Sequence, residues 1–135
     1  MIFKTPDDER YIEIFEKQQK PWLFMPMAES EESLMRFLDA DINTVALELK
    51  YKTEEHIFAD RRYREGLRDK GYMIWGNALD LGGGYKLSAG HDDTCALLRD
   101  PKYGWEWFMN NGFDLLQTDW VLAMVSYLRN QGYNV

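Results

Sequence analysis

The chain has a single cysteine, Cys95, among its 135 residues. No internal disulfide can form, and cysteine usage gives no reading of the redox compartment. A lone thiol inside Thr94-Cys95-Ala96-Leu97-Leu98 is expected to be a small buried residue. Histidine is nearly as scarce, with only His56 and His91 present. Positive charge is also in deficit: 16 Lys and Arg stand against 23 Asp and Glu, for a formal net charge of −7. Binding along a nucleic-acid backbone needs clustered Lys and Arg, so no nucleic-acid partner is expected. The same deficit leaves no polybasic signal for an anionic membrane surface. No apolar run reaches about 18 residues, so no membrane span is expected. The start, Met1 to Asp8, lacks the charged-then-apolar plan of a signal peptide, and the cellular address stays open. There is no internal repeat and no low-complexity tract.

What is present points to one globular α/β domain over residues 1–135. Apolar residues make up 45% and aromatics 15%, with five Trp. That is enough for a real core in a chain of this length, and it favours heavy packing or an apolar interface. Thr5-Pro6-Asp7-Asp8-Glu9 reads as a helix start, with a Thr cap, Pro at the first position and acids on the positive end of the dipole. Tyr11, Ile14 and Phe15 keep helical spacing, so the expected helix covers 6–19. Pro21 stops it. Trp22 to Met27 is a continuous apolar run, as in a strand covered on both faces, with Pro26 expected at the strand's end.

Ser30 caps a second helix, whose stripe is Leu34, Met35, Phe37 and Leu38. Thr44 to Tyr51 alternates as a strand, with Val45, Leu47, Leu49 and Tyr51 on one face and Ala46, Glu48 and Lys50 on the other. Thr53 is expected to cap a helix over 54–69, with Ile57, Phe58 and Leu67 inward. Its Arg61, Arg62, Arg64 and Arg68 read as a solvated face, because Asp60, Glu65 and Asp69 interleave with them. Gly71 ends that helix. Tyr72 to Leu79 is a strand, and 92–98 is a helical turn or two. An aromatic helix follows from Tyr103 to Met109, then a strand over 113–118 and a last helix over 120–129. The order is one helix, then βα four times. Such alternation implies a parallel sheet with right-handed crossovers, and four strands are half of an eight-stranded barrel.

The chain is organised around 71–119: strand, glycine-rich loop, helix, strand. In parallel α/β folds ligands sit at the C-terminal ends of the strands. The expected site therefore gathers Asn77, Asp80, His91, Asp92, Gln117 and Asp119. Glu48 and Lys50 share a strand face and reach the same mouth, or simply pair with each other. Trp75 is a wall of the cleft or a plain core residue. Asp119 lines the mouth or caps the last helix. His91-Asp92-Asp93 suits acid/base or metal chemistry, or a helix cap. Gly82-Gly83-Gly84 lacks the Gly-Lys-Ser/Thr ending of a phosphate loop and reads as a mobile lid or a tight turn. Trp105, Trp107 and Phe108 read as core.

Gly71-Tyr72-Met73-Ile74-Trp75-Gly76-Asn77 resembles the Gly-x-x-x-Trp-Thr-x-Asn strand of the glycerophosphodiester phosphodiesterases. Gly112-Phe113-Asp114-Leu115-Leu116-Gln117-Thr118-Asp119 is similar to the Gly-x-Asp-x-Ile-x-Thr-Asp strand that closes their barrel. The Gly90-His91-Asp92-Asp93 loop, with Asp100-Pro101 and Gly104-Trp105, is similar to a sub-group known from Bacteroides-like bacteria, and Trp22 to Met27 looks like its fifth strand. The resemblance implies a parallel (βα)4 half-barrel with a leading helix. That half-barrel corresponds to the C-terminal half of a TIM-barrel-like phosphodiesterase fold. In the full-length family it implies phosphoric diester hydrolysis, a divalent metal such as Mg²⁺ or Ca²⁺, and frequent export.

The family's His-Arg pair, Glu-x-Asp metal pair and second His have no match here. Glu48-Leu49-Lys50 is similar to the family's Glu-x-Lys strand but lies too close to the Trp75 strand, so no metal-ligand role is carried over. Three readings follow. The chain is the inactive C-terminal portion of such a barrel, a non-catalytic binding or regulatory domain for a phosphate- or polyol-bearing ligand, or a small enzyme completed across a dimer. A four-stranded half-barrel leaves an inner face bearing Met25, Glu48, Trp75, Leu115 and Gln117. That face is expected to be covered by a second copy, by the missing half-barrel, or by the leading helix and the 80–90 loop.

Overall fold

The computed structural model describes residues 1–18 and 20–135. It is an α/β fold with five parallel strands alternating with helices: β1 (Ile2–Pro6), α1 (Glu9–Gln18), β2 (Leu23–Ala28), α2 (Glu31–Asp39) and β3 (Ala46–Leu49). A 3-10 turn (Ile57–Ala59), α3 (Arg61–Asp69), β4 (Met73–Asn77), α4 (Asp93–Leu98), α5 (Trp105–Asn110), β5 (Leu115–Gln117) and α6 (Val121–Asn130) complete it. The strands lie side by side in the order β1-β2-β3-β4-β5, every pair parallel. Sequential order with right-handed crossovers stacks the helices on one face of the sheet, as in half of a βα barrel.

The expected leading helix is preceded by a strand, so the sheet has five strands rather than four. Ile2 to Pro6 pairs residue by residue with Leu23 to Met27. Pro6 therefore ends a strand instead of starting a helix, and α1 begins at Glu9. Asp8 receives the backbone N–H of Arg10 and pairs with its guanidinium. The expected helix end at residue 19 lies outside the described residues. Pro26 sits within β2, not at its end. Phe24 and Ala28 both turn their backbone groups to the β3 side, bonding Asn43, Val45 and Lys50. Alternation puts the nitrogen of Pro26 on that same side, and the pairing there passes from a Phe24–Thr44 bridge to Met27–Glu48 and Ala28–Leu49 with no partner at Pro26. The ladder thus skips the position that has no donor.

Period-2 alternation divides the strands between two faces. The outer face carries Phe3, Phe24, Ala28, Leu47, Leu49, Ile74 and Gly76, and the helices pack on it. Phe15 of α1 meets Phe3 and Phe24 at 5.5 and 4.9 Å between ring centroids, and Phe37 of α2 stacks on Phe24. Leu34, Phe58, Leu67, Ala96, Trp105 and Phe108 extend this core, with Ala123, Met124 and Tyr127 of α6 against it. Gly76 is required by this packing: a Cβ there would come within 2.6 Å of the Phe108 ring.

Two further expectations change. Asp60, not Thr53, caps α3, accepting from the Arg62 N–H at 2.8 Å, and the stretch before it is the 3-10 turn. Arg64 is fully buried instead of solvated. It lies one turn before Leu67, so it shares the inward face of α3. Its guanidinium donates to the carbonyls of Asn111, at 3.0 Å, and Phe58, and lies over the Phe113 ring. Arg61, Arg62 and Arg68 are exposed as expected. Cys95 is half-buried, and that burial pushes its thiol up.

Candidate functional site

The same alternation turns Lys4, Met25, Met27, Glu48, Trp75, Asn77, Leu115 and Gln117 to the inner face, because Met27 registers with Glu48, Glu48 with Trp75, and Asn77 with Gln117. No described helix packs there. Apolar side chains at its N-terminal side remain open, with Ile2, Leu23 and Met73 exposed at 39%, 36% and 38%. Toward the C-terminal side the face turns polar and closes on itself.

Glu48 is the centre of that polar part. It is buried, and its two oxygens are divided between two strands. Oε2 meets Lys4 Nζ at 2.6 Å, and Oε1 accepts from Asn77 Nδ2 at 2.9 Å. Lys4 also donates to Gln117 Oε1 at 2.9 Å and lies 5.1 Å from the centre of the Trp75 ring. Asn77 in turn receives the Leu79 N–H, which fixes the chain as it leaves β4. Four strands thus contribute to one network. Glu48, Trp75, Asn77 and Gln117 were expected at the mouth from sequence and are brought together. Lys4 was not, because Thr5-Pro6-Asp7-Asp8-Glu9 carries the marks of a helix start and hides the strand that ends there. Its only signal was the alternation of Phe3 and Thr5 around it. The Trp75 indole N–H is buried on this face and unpartnered.

Lys50 reaches the rim beside this network instead of pairing with Glu48. It meets Glu29 at 2.6 Å. Burial works against its ammonium, and Glu29 more than offsets this, so its pKa is raised. Glu29 is lowered, chiefly by that hydrogen bond. Tyr85 donates to the same Glu29 oxygen at 3.2 Å.

The remaining expected residues do not join the inner face. His91 stacks on Trp107 at 3.8 Å, with Nδ1 2.6 Å from the Tyr103 carbonyl and Nε2 2.6 Å from Glu54. Asp92 caps α4 through the Cys95 N–H at 2.8 Å and pairs with Lys86 at 2.7 Å, which also raises the pKa of Lys86. Asp93 is buried and ties two strand ends together. It accepts from Trp105 Nε1 at 2.7 Å, Thr118 Oγ1 at 2.6 Å and the Asp119 N–H at 3.0 Å. Asp80 closes a turn by accepting from Gly82, and hydrogen bonds with Thr94 and Gly82 lower its pKa. Gly82, Gly83 and Gly84 all take positive φ, so this is a tight turn that ordinary side chains disfavour. Asp119 is exposed at the end of β5; it does not cap α6, where Thr118 Oγ1 accepts from the Trp120 N–H at 2.9 Å. Tyr51 is buried among these loops, and burial pushes its phenol well up.

The donor set does not fit a resident divalent cation. No group of three His, Cys, Asp or Glu is placed for one among the described residues. The single inner-face carboxylate is already neutralised by Lys4. Nor is any helix of the described residues long and apolar enough to cross a membrane.

A singly wound parallel sheet with its polar cluster toward the strand ends is the class this geometry defines. The chain belongs to the family described as a domain of unknown function, DUF4996, which it matches over residues 21–128, from the entry to β2 through most of α6. No curated protein matches it.

Proposed function

We propose that the chain is the C-terminal βα portion of a glycerophosphodiester phosphodiesterase-like barrel and is inactive in phosphodiester hydrolysis by itself. The observation that carries this reading is the Lys4–Glu48–Asn77–Gln117 network on the face without helices. Polar side chains from four of the five parallel strands, gathered on one face toward their C-terminal ends, are what a barrel mouth requires. The strand motifs around Trp75 and Gln117 add the resemblance. Inactivity follows from chemistry: a phosphoryl transition state needs positioned cations and an acid/base pair, and the one inner-face carboxylate here is held by Lys4. The open inner face is covered by further barrel strands or by a second copy of this chain, giving a homodimer.

A second reading is favoured by the same ion pair. Because Glu48 is neutralised and buried, the mouth suits a non-catalytic domain binding a phosphate- or polyol-bearing ligand. The test of the first reading is release of glycerol phosphate from a glycerophosphodiester by the pure chain, with Mg²⁺ or Ca²⁺ added. The expected result is no turnover above background. Turnover abolished by Glu48→Gln or His91→Ala would overturn inactivity and favour a small enzyme completed across a dimer.

A further inference from the structure

At the N-terminal end of the sheet, a cavity of about 480 Å³ opens between the end of α1, the entry to β2 and the loop before β3. Its wall includes Phe15, Glu16, Trp22, Phe24, Asp41 and Ile42. Phe15 and Phe24 meet at 4.9 Å between ring centroids, and Phe3 holds the Trp22 ring edge-on at 5.1 Å, so the rings are fixed by packing. Glu16 Oε1 accepts the Asp41 N–H at 3.3 Å, which brings these two acidic residues together in the wall. Neither carboxylate has a cationic partner among the described residues. The basic residues of α1 and α2 are committed elsewhere: Arg10 to Asp8, Lys17 to Glu13, and Arg36 to Glu9 and Glu32. Lys20 also lines the cavity, but its ammonium lies 5.6 Å from the centre of the Trp22 ring and pairs with no carboxylate among the described residues. Two carboxylates against one ammonium leave the wall with one negative charge in excess.

We propose that this cavity binds a small primary amine with an apolar body. The ammonium sits between Glu16 and Asp41, and the body lies against Phe15, Trp22 and Ile42. The volume falls within the roughly 300–1,000 Å³ of ordinary ligand cavities, which are mostly apolar with a few placed polar groups. An ammonium answers both halves of the wall: it makes charge-assisted hydrogen bonds to carboxylates and is attracted to aromatic faces. Lys20 displays the second half, since its own ammonium already rests by Trp22. The carboxylates stay free for a ligand. An anion would meet two unpaired carboxylates, and a neutral ligand would leave them unanswered. A divalent metal ion would leave the rings unused, and no group of three His, Cys, Asp or Glu is placed for one among the described residues. One positive charge on the ligand balances the wall. The cavity lies at the opposite end of the strands from the Glu48–Asn77 network, so the proposal does not depend on the phosphodiesterase reading. A failed turnover assay leaves it untouched.

Isothermal titration of the full chain with phenethylamine tests the proposal, with phenethyl alcohol and hydrocinnamate as its neutral and anionic counterparts. The expected result is saturable binding of the amine and none of the other two. Glu16→Gln keeps an acceptor for the Asp41 N–H and loses the charge. It is expected to weaken binding about tenfold, the effect of one lost charged hydrogen bond. Trp22→Leu keeps an apolar wall without the aromatic face and is expected to weaken binding as well. Lys20→Met removes the competing ammonium and is expected to tighten it, while Lys52→Ala, at the other end of the sheet, leaves it unchanged. Melting curves confirm that each variant is folded. No binding of the amine, equal binding of amine and alcohol, equal binding by wild type and Glu16→Gln, or weaker binding by Lys20→Met overturns the proposal.

Discussion

The two faces of this sheet differ in how they are finished. On the outer face, the strands meet the helices mainly through aromatic and aliphatic contacts, from Phe15–Phe24 to Phe108–Phe113. On the inner face, Ile2, Leu23 and Met73 are open while Glu48 and Asn77 are buried among their own neighbours. One face is organised by apolar area removed from water, the other by a charged network whose geometry depends on strand register. Under the proposed reading, stability resides mainly on the outer face, and recognition and association on the inner one.

The largest expected effect therefore belongs to the outer core. Phe108→Ala removes a fully buried ring packed on Phe113 and Gly76, and it should cost about 3–5 kcal/mol, read by urea unfolding. Gly76→Ala attacks the same contact from the strand side. The new methyl would overlap the Phe108 and Phe113 rings, with an expected loss of about 1–3 kcal/mol. A loss at Trp75→Ala on the inner face equal to that of Phe108→Ala would break the comparison.

Next comes Asp93, which belongs to neither face. Asp93→Ala leaves the Trp105 indole N–H and the Asp119 N–H without an acceptor. The expected loss is about 2–3 kcal/mol, read by urea unfolding. Such a loss marks Asp93, like the helix-capping Asp92, as a structural carboxylate.

The smallest effect is the pH dependence of the rim. Glu29 has a lowered pKa, so its stabilisation is present above its ordinary 4.5 and is lost as pH falls through its folded value. Lys50 has a raised pKa, so its share is present below its ordinary 10.5 and is lost as pH rises through its folded value. The pair is thus complete between these limits. Wild-type chain should lose slightly more stability on acidification below pH 4.5 than Glu29→Gln, by well under about 1 kcal/mol because the pair is partly exposed. Identical acid melting profiles would remove Glu29–Lys50 as a stabilising contact.

These contrasts also explain what could be read from the chain. The inner-face set Met25, Glu48, Trp75, Leu115 and Gln117 was legible because period 2 in a strand assigns faces without knowledge of partners. Helices α2 and α6 were legible from apolar stripes. Strand β1 was not, since Thr5-Pro6-Asp7-Asp8 has every local mark of a helix cap and only pairing with β2 reveals the strand. Burial of Arg64 was hidden for a similar reason: one acceptor, the Asn111 carbonyl, comes from a distant turn, and the other, that of Phe58, belongs to a 3-10 turn in a stretch with helical marks. His91 carried a chemically suggestive pattern, yet Trp107, Glu54 and Tyr103 hold it away from the strand ends, and none of these is near it in sequence.

We propose that, in the absence of further barrel strands, the open inner face associates with a second copy of this chain. Sedimentation velocity of the isolated chain across a dilution series at micromolar concentration addresses it most directly. Association beyond the 16.0 kDa monomer is expected, weakening on dilution and reduced by Met73→Lys, a substitution on the open part of that face. A clean 16.0 kDa monomer at every concentration, unchanged by Met73→Lys, would contradict it.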